Sequence, residues 1–498
     1  MRILPFVFVF VTIGRLFAAD VYVAQNATGN GSGSDAKNAK AISKATWGAG
    51  TVNHVVGTLS SSITIGGSGT LFFEPEAKMS ADHWNKAAIT VNADNVVIDG
   101  GQNGLIEATG QGTASGVSAH GISVYQHSGL EVKNLKILGM YKKTTVADTA
   151  NGAGCGVSLS YGSNFHVHDC VIQSSGAGIF YTYSITPASS NIEFDHNTIG
   201  DANWGIGSGS GGANAVIDDF KIHDNDISMP GTIWDDPPNN NHHNGMYIWA
   251  AQPGSKVTNL KIYNNYVHGD AGAHATAFIY VSANESETVS VGMEGVLIYN
   301  NLCVATTGGA SNGCIFPSCN GASVYNNTIV CTAKNEGGLG IRQYTGNIPG
   351  TVGVIQNNII YHWMTTIYSV GGAADLKMTN NLENVDPKFV GPGDYNLTKS
   401  SPAAGKGVDL SKWFTTDIEG NTRRVPWDIG AYAVAAGAPT PTPTPPPTPT
   451  PVPTATPTPR PTATPTPQPT ATPSISNWEK WIEQQAEWDR ANPPAPDP

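Results

Sequence analysis

Charged residues are scarce in this 498-residue chain, at 13% of the total, and the balance among them is acidic. There are 26 Lys and Arg against 38 Asp and Glu, which gives a formal net charge of −12. A surface of this sign repels nucleic acid, so we exclude a nucleic-acid partner. Arginine is especially rare, because Arg342 is the only one between Arg15 and Arg423.

Long apolar runs are almost absent as well. The run from Ile3 to Ile13 follows a basic start and precedes small residues, which predicts a secretory signal peptide at residues 1–19, cleaved after Ala18 or Ala19. No later run is long enough to span a membrane. We therefore expect a secreted, extracellular or cell-surface protein.

Cysteines are few, and none has the spacing of a zinc site. The six lie at positions 155, 170, 303, 314, 319 and 331. In an exported chain this even number favours disulfides, and one or two are expected among the last four. Inert buried thiols are the alternative, because Cys303 and Cys314 occupy inward positions of the repeat described next.

One motif recurs throughout the middle of the chain: apolar-x-apolar-x, two small polar residues, any residue, and a last apolar residue. Copies lie at residues 130–137, 165–172, 192–199, 220–227, 260–267, 296–303, 322–329, 353–360 and 376–383. The second polar position is usually Asn, as in Asn197, Asn225, Asn265, Asn301, Asn327 and Asn358, with Cys170 in an earlier copy. Alternation with period two indicates strands with one buried face, and repeats of this length indicate a solenoid.

A second short run precedes each copy and begins with Gly, as in Gly121-Ile122-Ser123-Val124 and Gly245-Met246-Tyr247-Ile248. Each unit thus has about three short strands and no helix. This predicts an all-β fold, a right-handed parallel β-helix (single-stranded solenoid) with coils stacked about 4.8 Å apart. The repeated Asn predicts a ladder of buried side-chain amides from coil to coil.

On these coil motifs, residues 85–385 resemble the pectate-lyase-like superfamily of secreted bacterial β-helix proteins. The resemblance implies a polysaccharide as partner but assigns no enzyme family. His120-Gly121-Ile122-Ser123 is similar to the Gly-His-Gly segment of polygalacturonases, yet no paired-Asp coil precedes it and no Arg-x-Lys follows.

The other segments divide the chain into predicted regions. We expect an N-terminal cap at residues 20–85, with an amphipathic helix at 35–47 behind a Ser34 or Asp35 cap, the β-helix at 86–385 and a C-terminal cap at 386–437. Asp417, Arg423 and Asp428 are interpreted as a structural clasp in that C-terminal cap. Residues 438–473 form a disordered Pro/Thr-rich linker.

Residues 474–498 place Trp478, Trp481 and Trp488 on one stripe of a short amphipathic helix. This tail either docks on a cell-envelope or protein partner, or is a frayed end. We expect the protein itself to be a monomer.

In the Gly-initiated strands the apolar residues point inward, so the intervening residues point outward. The predicted outward pairs include Tyr247 with Trp249, Ile279 with Val281, and Arg342 with Tyr344. Aromatic rings beside polar groups such as Asn244 suit the C–H faces of sugars. We therefore predict substrate contacts at Tyr247, Trp249, Asn244, Arg342 and Tyr344; packing of the rings under a loop is the alternative.

A candidate catalytic cluster lies in the longest interval between ladder positions, from Asn225 to Asn265, and its flanks. It comprises Asp201, Asp235, Asp236, His242, His243, Asp270 and His274. If Gly245 aligns with Ala277, the imidazoles of His242 and His274 lie one coil apart. Asp270, with Asp235 and Asp236, is also a candidate Ca²⁺ site.

Two reactions suit these residues. A lyase removes the C5 proton of a uronic acid with a base, while a cation or His neutralises the sugar carboxylate. A hydrolase instead uses one carboxylic acid and one carboxylate. We favour a lyase acting on an acidic polysaccharide over a hydrolase, and keep a non-catalytic glycan-binding or adhesive protein as the alternative.

Overall fold

The structure is a computed structural model that describes residues 19–110, 119–145, 154–184, 187–231, 233–234, 243–250, 252–272, 275–283, 292–307, 313–319, 321–333, 337–344, 353–370 and 376–434. The predicted linker, the tail and nearly all of the predicted signal peptide lie outside these residues and stay predictions. No helix in the described ranges has the length and apolar character of a membrane span.

More than half of the described residues lie in β-strands, most of them short. In chain order these are β1 (Ala19–Ala24), β2 (Lys40–Ala41), β3 (Thr51–Val55), β4 (Thr58–Leu59), β5 (Ile63–Ile65), β6 (Gly69–Phe73), β7 (Lys78–Ala81), β8 (Ala87–Val91), β9 (Val96–Asp99), β10 (Leu105–Ala108), β11 (His120–Tyr125), β12 (Leu130–Lys133), β13 (Lys136–Leu138), β14 (Cys155–Ser160), β15 (Phe165–His168), β16 (Val171–Tyr183), β17 (Ser189–Asp195), β18 (Thr198–Ser210) and β19 (Val216–His223).

The second half continues in the same manner. Its strands are β20 (Asp226–Pro230), β21 (Asn244–Ala250), β22 (Lys256–Tyr263), β23 (Tyr266–Asp270), β24 (Ala277–Ala283), β25 (Gly292–Glu294), β26 (Leu297–Tyr299), β27 (Leu302–Ala305), β28 (Ile315–Ser318), β29 (Ser323–Tyr325), β30 (Thr328–Cys331), β31 (Gly337–Tyr344), β32 (Val354–Gln356), β33 (Ile359–Tyr361), β34 (Trp363–Val370), β35 (Lys377–Thr379), β36 (Leu382–Glu383), β37 (Phe389–Gly391) and β38 (Asp394–Leu397).

Nearly all strands pair in parallel with the equivalent strand of the next coil, which confirms the right-handed parallel β-helix. Face A is the 15-stranded sheet that contains β9, β12, β15, β17, β19, β22 and β26. Face B contains the strands that follow the ladder position, such as β13, β20, β23 and β27. Face C contains the Gly-initiated strands, such as β11, β14, β21, β24, β28 and β31. The 13-residue strands β16 and β18 run through both face B and face C and join them into one 21-stranded sheet.

The repeated polar pair has a clear structural cause. Its first residue lies in the left-handed backbone region, as in Asp224, Asn264 and Asn300, with φ of 53°, 54° and 53°. Asn and Asp tolerate this conformation better than most residues. Its second residue points inward and forms the predicted ladder: Asn225 donates its amide to Asn265, and Asn265 to Asn301, each at 2.9 Å. The ladder prediction is confirmed.

The Gly near the start of most face C strands is required by the close stacking of coils. A Cβ on Gly205 would lie 2.6 Å from the carbonyl oxygen of Gly245 and 2.6 Å from the side chain of Ile227. Real Cβ atoms do not approach so closely, because interiors are packed to van der Waals contact. Inside the coils the apolar side chains of all three faces form one continuous core.

The N-terminal cap and the cysteines differ in part from what the sequence predicts. The single helix predicted at residues 35–47 is wrong: the chain forms two short 3₁₀ turns, Ala36–Asn38 and Ile42–Lys44, separated by β2, although Asp35 does cap the first. Since β1 and β2 pair there, sheet formation overrides the local helical pattern. All six cysteines are buried thiols, so the structure adopts the second of the two cysteine alternatives.

Candidate functional site

Four residues of the predicted catalytic cluster lie outside the described residues: Asp235, Asp236, His242 and His274. Their proximity stays a prediction. The alignment on which it was based differs from the structure, however, because Asn244 and not Gly245 pairs with Ala277. The position opposite Gly245 holds Phe278, so the repeat has no Gly there to mark the register.

His243, the residue before β21, is fully buried. Its Nδ1 lies 2.8 Å from the carbonyl oxygen of Asn203 on the preceding coil. Because a carbonyl oxygen only accepts hydrogen bonds, Nδ1 carries a proton. The side-chain oxygen of Asn244 accepts the backbone N–H of Ala277 at 2.9 Å, so this side chain joins two coils.

The two described carboxylates of the predicted cluster make local contacts. Asp201 has φ of 50° and accepts a hydrogen bond from the Ser174 hydroxyl at 2.7 Å. Asp270 accepts the backbone N–H of Gly272 at 2.8 Å and the hydroxyl of Thr307. The coil alignment thus places Asn203, rather than Asp201, against His243.

One outward position on face C is aromatic on three successive coils. The rings of Tyr247 and Tyr280 stack at 4.8 Å with 2° between their planes, and those of Tyr280 and Phe316 at 4.7 Å with 9°. The guanidinium of Arg342 lies 4.6 Å from the centre of the Phe316 ring, and Tyr368 is the partner of Arg342 on the next coil. We call these five residues the ring row.

The ring row corrects the predicted outward positions in β24. Ile279 and Val281 were expected to point outward, but both are fully buried in the core, and Tyr280 points outward instead. A shift of one residue in register moves every side chain of a strand to the opposite face. The signal that reasoning from sequence missed was the Tyr280 and Phe316 pair, each flanked by apolar residues.

Exposure divides the ring row into two parts. Tyr247 and Phe316 are 6% and 3% exposed, whereas Tyr280 and Arg342 are partly exposed and Tyr368 is 46% exposed. Trp249 is buried beside the row against Phe180 and Trp204. The accessible groups are therefore Tyr280 and, beyond the buried Phe316 ring, Arg342 and Tyr368. Tyr344 pairs with Ser318, but its side chain lies outside the described part.

A second polar surface, which the sequence reasoning did not find, lies on the outside of face A. It combines four imidazoles with four carboxylates on four successive coils, and we call it the imidazole stripe: Glu131, His166, His168, Glu193, Asp195, His196, His223 and Asp224. These residues occupy the outward positions of the ladder motif or its first polar position, which was the available signal.

Hydrogen bonds link the imidazole stripe across coils. Asp195 accepts from His166 Nε2 and from His196 Nδ1, each at 2.6 Å. His223 contacts Glu193 through Nε2 at 2.9 Å and Asp224 through Nδ1 at 2.7 Å. The His223 ring also stacks on Tyr263, with centres 4.5 Å apart.

These contacts shift the ionisation of the stripe. Burial opposes the charge of Asp195, but its hydrogen bonds from His166 and His196 outweigh this and lower the pKa to about 2. The hydrogen bond to Asp195 raises the pKa of His166. Burial works against protonation of His223, yet its bonds with Asp224 and Glu193 leave the pKa raised. Hydrogen bonds between coils therefore favour the ionised carboxylate of Asp195 and the protonated rings of His166 and His223.

Three groups of this stripe have the donor atoms of a metal site. One possible ligand atom from each of Glu193, Asp195 and His223 lies within 4.8 Å of the other two. Within the described residues, this is the group of three or more His, Cys, Asp or Glu side chains close enough to hold one metal ion. Asp195 and His223 are buried, while Glu193 is partly exposed. The arrangement can receive a cation from solvent through the Glu193 side.

The stacked coils, the Asn ladder and the three faces define a right-handed parallel β-helix protein. No protein-family model and no curated protein sequence matches the chain. Among solved structures it is similar to pectate lyase Pel9A, with TM-score 0.43 and 12% identity over 84% of this chain and 98% of that one. It is also similar to the GH136 lacto-N-biosidase from Eubacterium ramulus, with TM-score 0.41 and 10% identity over 74% and 68% of the two chains.

A third similar structure is the family 28 exopolygalacturonase of Yersinia enterocolitica, with TM-score 0.35 and 9% identity over 69% of this chain and 73% of that one. At these identities the likeness concerns the fold alone. What the chain does has to be argued from its own residues.

Proposed function

We propose that this protein acts on an acidic polysaccharide that lies across the coils of face C, and that the reaction is an elimination. The observation that supports this most is the exposed part of the ring row. The Arg342 guanidinium lies 4.6 Å from the centre of the Phe316 ring on the preceding coil, Tyr368 is its partner on the next coil, and Tyr280 lies two coils before it. Tyrosine rings pack against the apolar faces of sugars, and a guanidinium binds a carboxylate through two parallel hydrogen bonds.

The charge of the chain makes Arg342 important to this proposal. A net charge of −12 disfavours approach of a polyanion. Within residues 16–422 of the sequence, Arg342 is the single arginine. A uronate carboxylate that reaches face C would therefore find its guanidinium partner at this coil, and the orientation of the sugar chain would be set there.

The chemistry is assigned to the neighbourhood of β21, three coils before Arg342. The separation is about 14 Å at one coil per 4.8 Å, so Arg342 serves a subsite and does not touch the reacting bond. In the elimination, a base removes the C5 proton of a uronic acid. The electrons of that C–H bond form the C4–C5 double bond, and the C4–O bond breaks with protonation of the leaving oxygen. His242, His243 and His274 are the proposed candidates for base and acid.

The proposal is tested by incubating the purified chain with a panel of uronate polysaccharides and with neutral glucans. An elimination produces an unsaturated uronate that absorbs ultraviolet light, whereas hydrolysis releases reducing ends without that absorbance. We expect ultraviolet-absorbing products from at least one uronate polymer. Glycan binding without any cleavage would instead support the adhesive alternative, and neither binding nor cleavage would refute both.

The site is tested by His242→Ala and His274→Ala. Each is expected to abolish cleavage while the thermal unfolding midpoint stays unchanged. Full activity in both variants would refute the assignment of the reaction to this coil. Export remains a further proposal from residues 1–19, and the N-terminal sequence of protein recovered from the culture medium tests it.

A further inference from the structure

The imidazole stripe lies on face A, whereas the proposed polysaccharide surface lies on face C. We propose that Glu193, Asp195 and His223 bind a divalent transition-metal ion of the Zn²⁺ class. The carboxylates lie on β17 and the imidazole on β19, which pair in register, so Asp195 is directly opposite His223. Their donor atoms converge within 4.8 Å without any change of backbone.

The surroundings of His223 favour metal binding. Its Nδ1 faces the Asp224 carboxylate at 2.7 Å, and therefore Nε2 is the nitrogen directed at Glu193. A carboxylate on the far nitrogen of a ligating imidazole fixes the ring orientation and increases its basicity. The parallel Tyr263 ring, 13° from the imidazole plane, restricts rotation of the ring further.

The donor set selects the kind of metal. Two carboxylates and one imidazole suit Zn²⁺ and related ions, which accept nitrogen and oxygen donors at about 2.0–2.2 Å. Ca²⁺ takes six to eight oxygen ligands, and an imidazole is a poor substitute. His166 already contacts Asp195 at 2.6 Å, so it can either orient that carboxylate or become a fourth ligand.

A cation already lies near this site, namely the ammonium of Lys221. It is 3.8 Å from Glu193 and 3.7 Å from Asp219, distances at the outer limit of an ion pair. Such a partly exposed pair contributes little, and the long side chain can turn toward Asp219 when a metal neutralises Glu193. We therefore expect Lys221→Gln to bind metal at least as tightly as the native chain.

The test uses the full chain without a histidine tag, stripped of metal with a chelator. Zn²⁺ is titrated calorimetrically, and Co²⁺ is used as an optical probe of the coordination. We expect one strong site per chain that excess Ca²⁺ does not compete for. His223→Gln should abolish this site, and Asp224→Asn should weaken it about 10–100-fold, because Asp224 orients the ligand.

His268→Gln is the matched control, since His268 pairs with Asp226 at 2.8 Å on face B and contributes nothing to the trio. It should bind Zn²⁺ as the native chain does. Unchanged thermal unfolding of the stripped His223→Gln chain ensures that lost binding is not lost folding. Unaltered Zn²⁺ binding in His223→Gln, or loss of binding in a His242→Gln/His274→Gln double variant, would overturn the proposal.

Discussion

The side-chain amide of Asn265 donates to the side-chain oxygen of Asn301, one coil further on, at 2.9 Å. The same amide also donates to the carbonyl oxygens of Ile222 and Tyr263 at 3.0 and 2.9 Å. Its own oxygen accepts from Asn225. One buried side chain thus satisfies backbone groups on two coils and links its neighbours in the ladder, which fixes how the coils stack.

Asn265→Ala should therefore destabilise the protein strongly. It leaves buried carbonyl oxygens and a buried amide without partners, and each such group costs about 1–3 kcal/mol. We expect the free energy of unfolding in urea to fall by about 3 kcal/mol or more. Asn381→Ala at the partly exposed last rung, which contacts only Asn358 within the ladder, should cost clearly less. Equal effects would contradict the role assigned to burial.

Gly209 on face C should not tolerate even a methyl group. A Cβ there would lie 2.3 Å from ring carbons of Trp249. Gly209→Ala forces that ring out of its cluster with Phe180 and Trp204, at a cost of about 1–3 kcal/mol. We expect a lower unfolding midpoint and altered tryptophan fluorescence. Gly66→Ala is the control, because nothing lies within 4 Å of its added Cβ; an unaffected Gly209→Ala would mean that Trp249 is not held there.

His120 makes stability depend on pH. Burial lowers its pKa from 6.5 to about 4, and its Nδ1 accepts the backbone N–H of Cys155 at 3.0 Å, which requires a neutral ring. Between pH 6.5 and 4 the unfolded chain therefore binds a proton that the folded chain does not. This contribution to stability is complete above pH 6.5 and falls by about 3 kcal/mol as the pH drops to 4.

The measurement compares unfolding free energies of the native chain and His120→Gln from pH 7 to pH 4. The native chain should be the more stable at pH 7, and its advantage should shrink as the pH falls. His83→Gln serves as control, because its side chain is 54% exposed. A difference between native chain and His120→Gln that stays constant with pH would show that the ring is not held neutral.

The C-terminal clasp should stabilise the last coils. Arg423 donates to Asn300 at 2.8 Å and to the carbonyl oxygens of Gly430 and Ala431 at 2.9 Å, and its guanidinium lies near the rings of Phe414 and Trp427. Arg423→Met should cost about 3 kcal/mol, since a buried charged donor of several bonds is lost. Exposed Arg424→Met should change stability by no more than about 0.5 kcal/mol.

The fold could be predicted because each coil repeats a local rule. The left-handed residue and the inward Asn, as at Asn264 and Asn265, recur in sequence and mark the bend from face A to face B in most coils. The register of face C strands was harder to predict where the Gly is missing. In β24, Phe278 occupies the position of Gly245, so the predicted register was wrong by one residue and Tyr280 was assigned to the interior. Single-coil patterns cannot correct such a slip, because both registers preserve period two.

The candidate site was only partly predictable for a similar reason. His223 lies about one repeat away in sequence from Glu193 and Asp195, which share β17, and each of the three looks like an ordinary outward residue of its strand. Only the in-register pairing of β17 with β19 brings them together. Conversely, Asn244 was chosen for its place beside aromatic residues, whereas the structure uses its side-chain oxygen to bind the next coil.

The central claim is that Arg342 holds a uronate on face C. The most direct measurement is the apparent affinity of Arg342→Gln for a uronate polysaccharide and for the same polymer with its carboxyl groups reduced to alcohols. We predict that Arg342→Gln binds the charged polymer about 10- to 100-fold more weakly than the native chain and binds the reduced polymer equally well. The loss corresponds to about 1.5–3 kcal/mol, the contribution of a hydrogen bond to a charged group. Arg424→Gln should match the native chain on both. Equal affinity of Arg342→Gln and the native chain for the charged polymer would contradict the account.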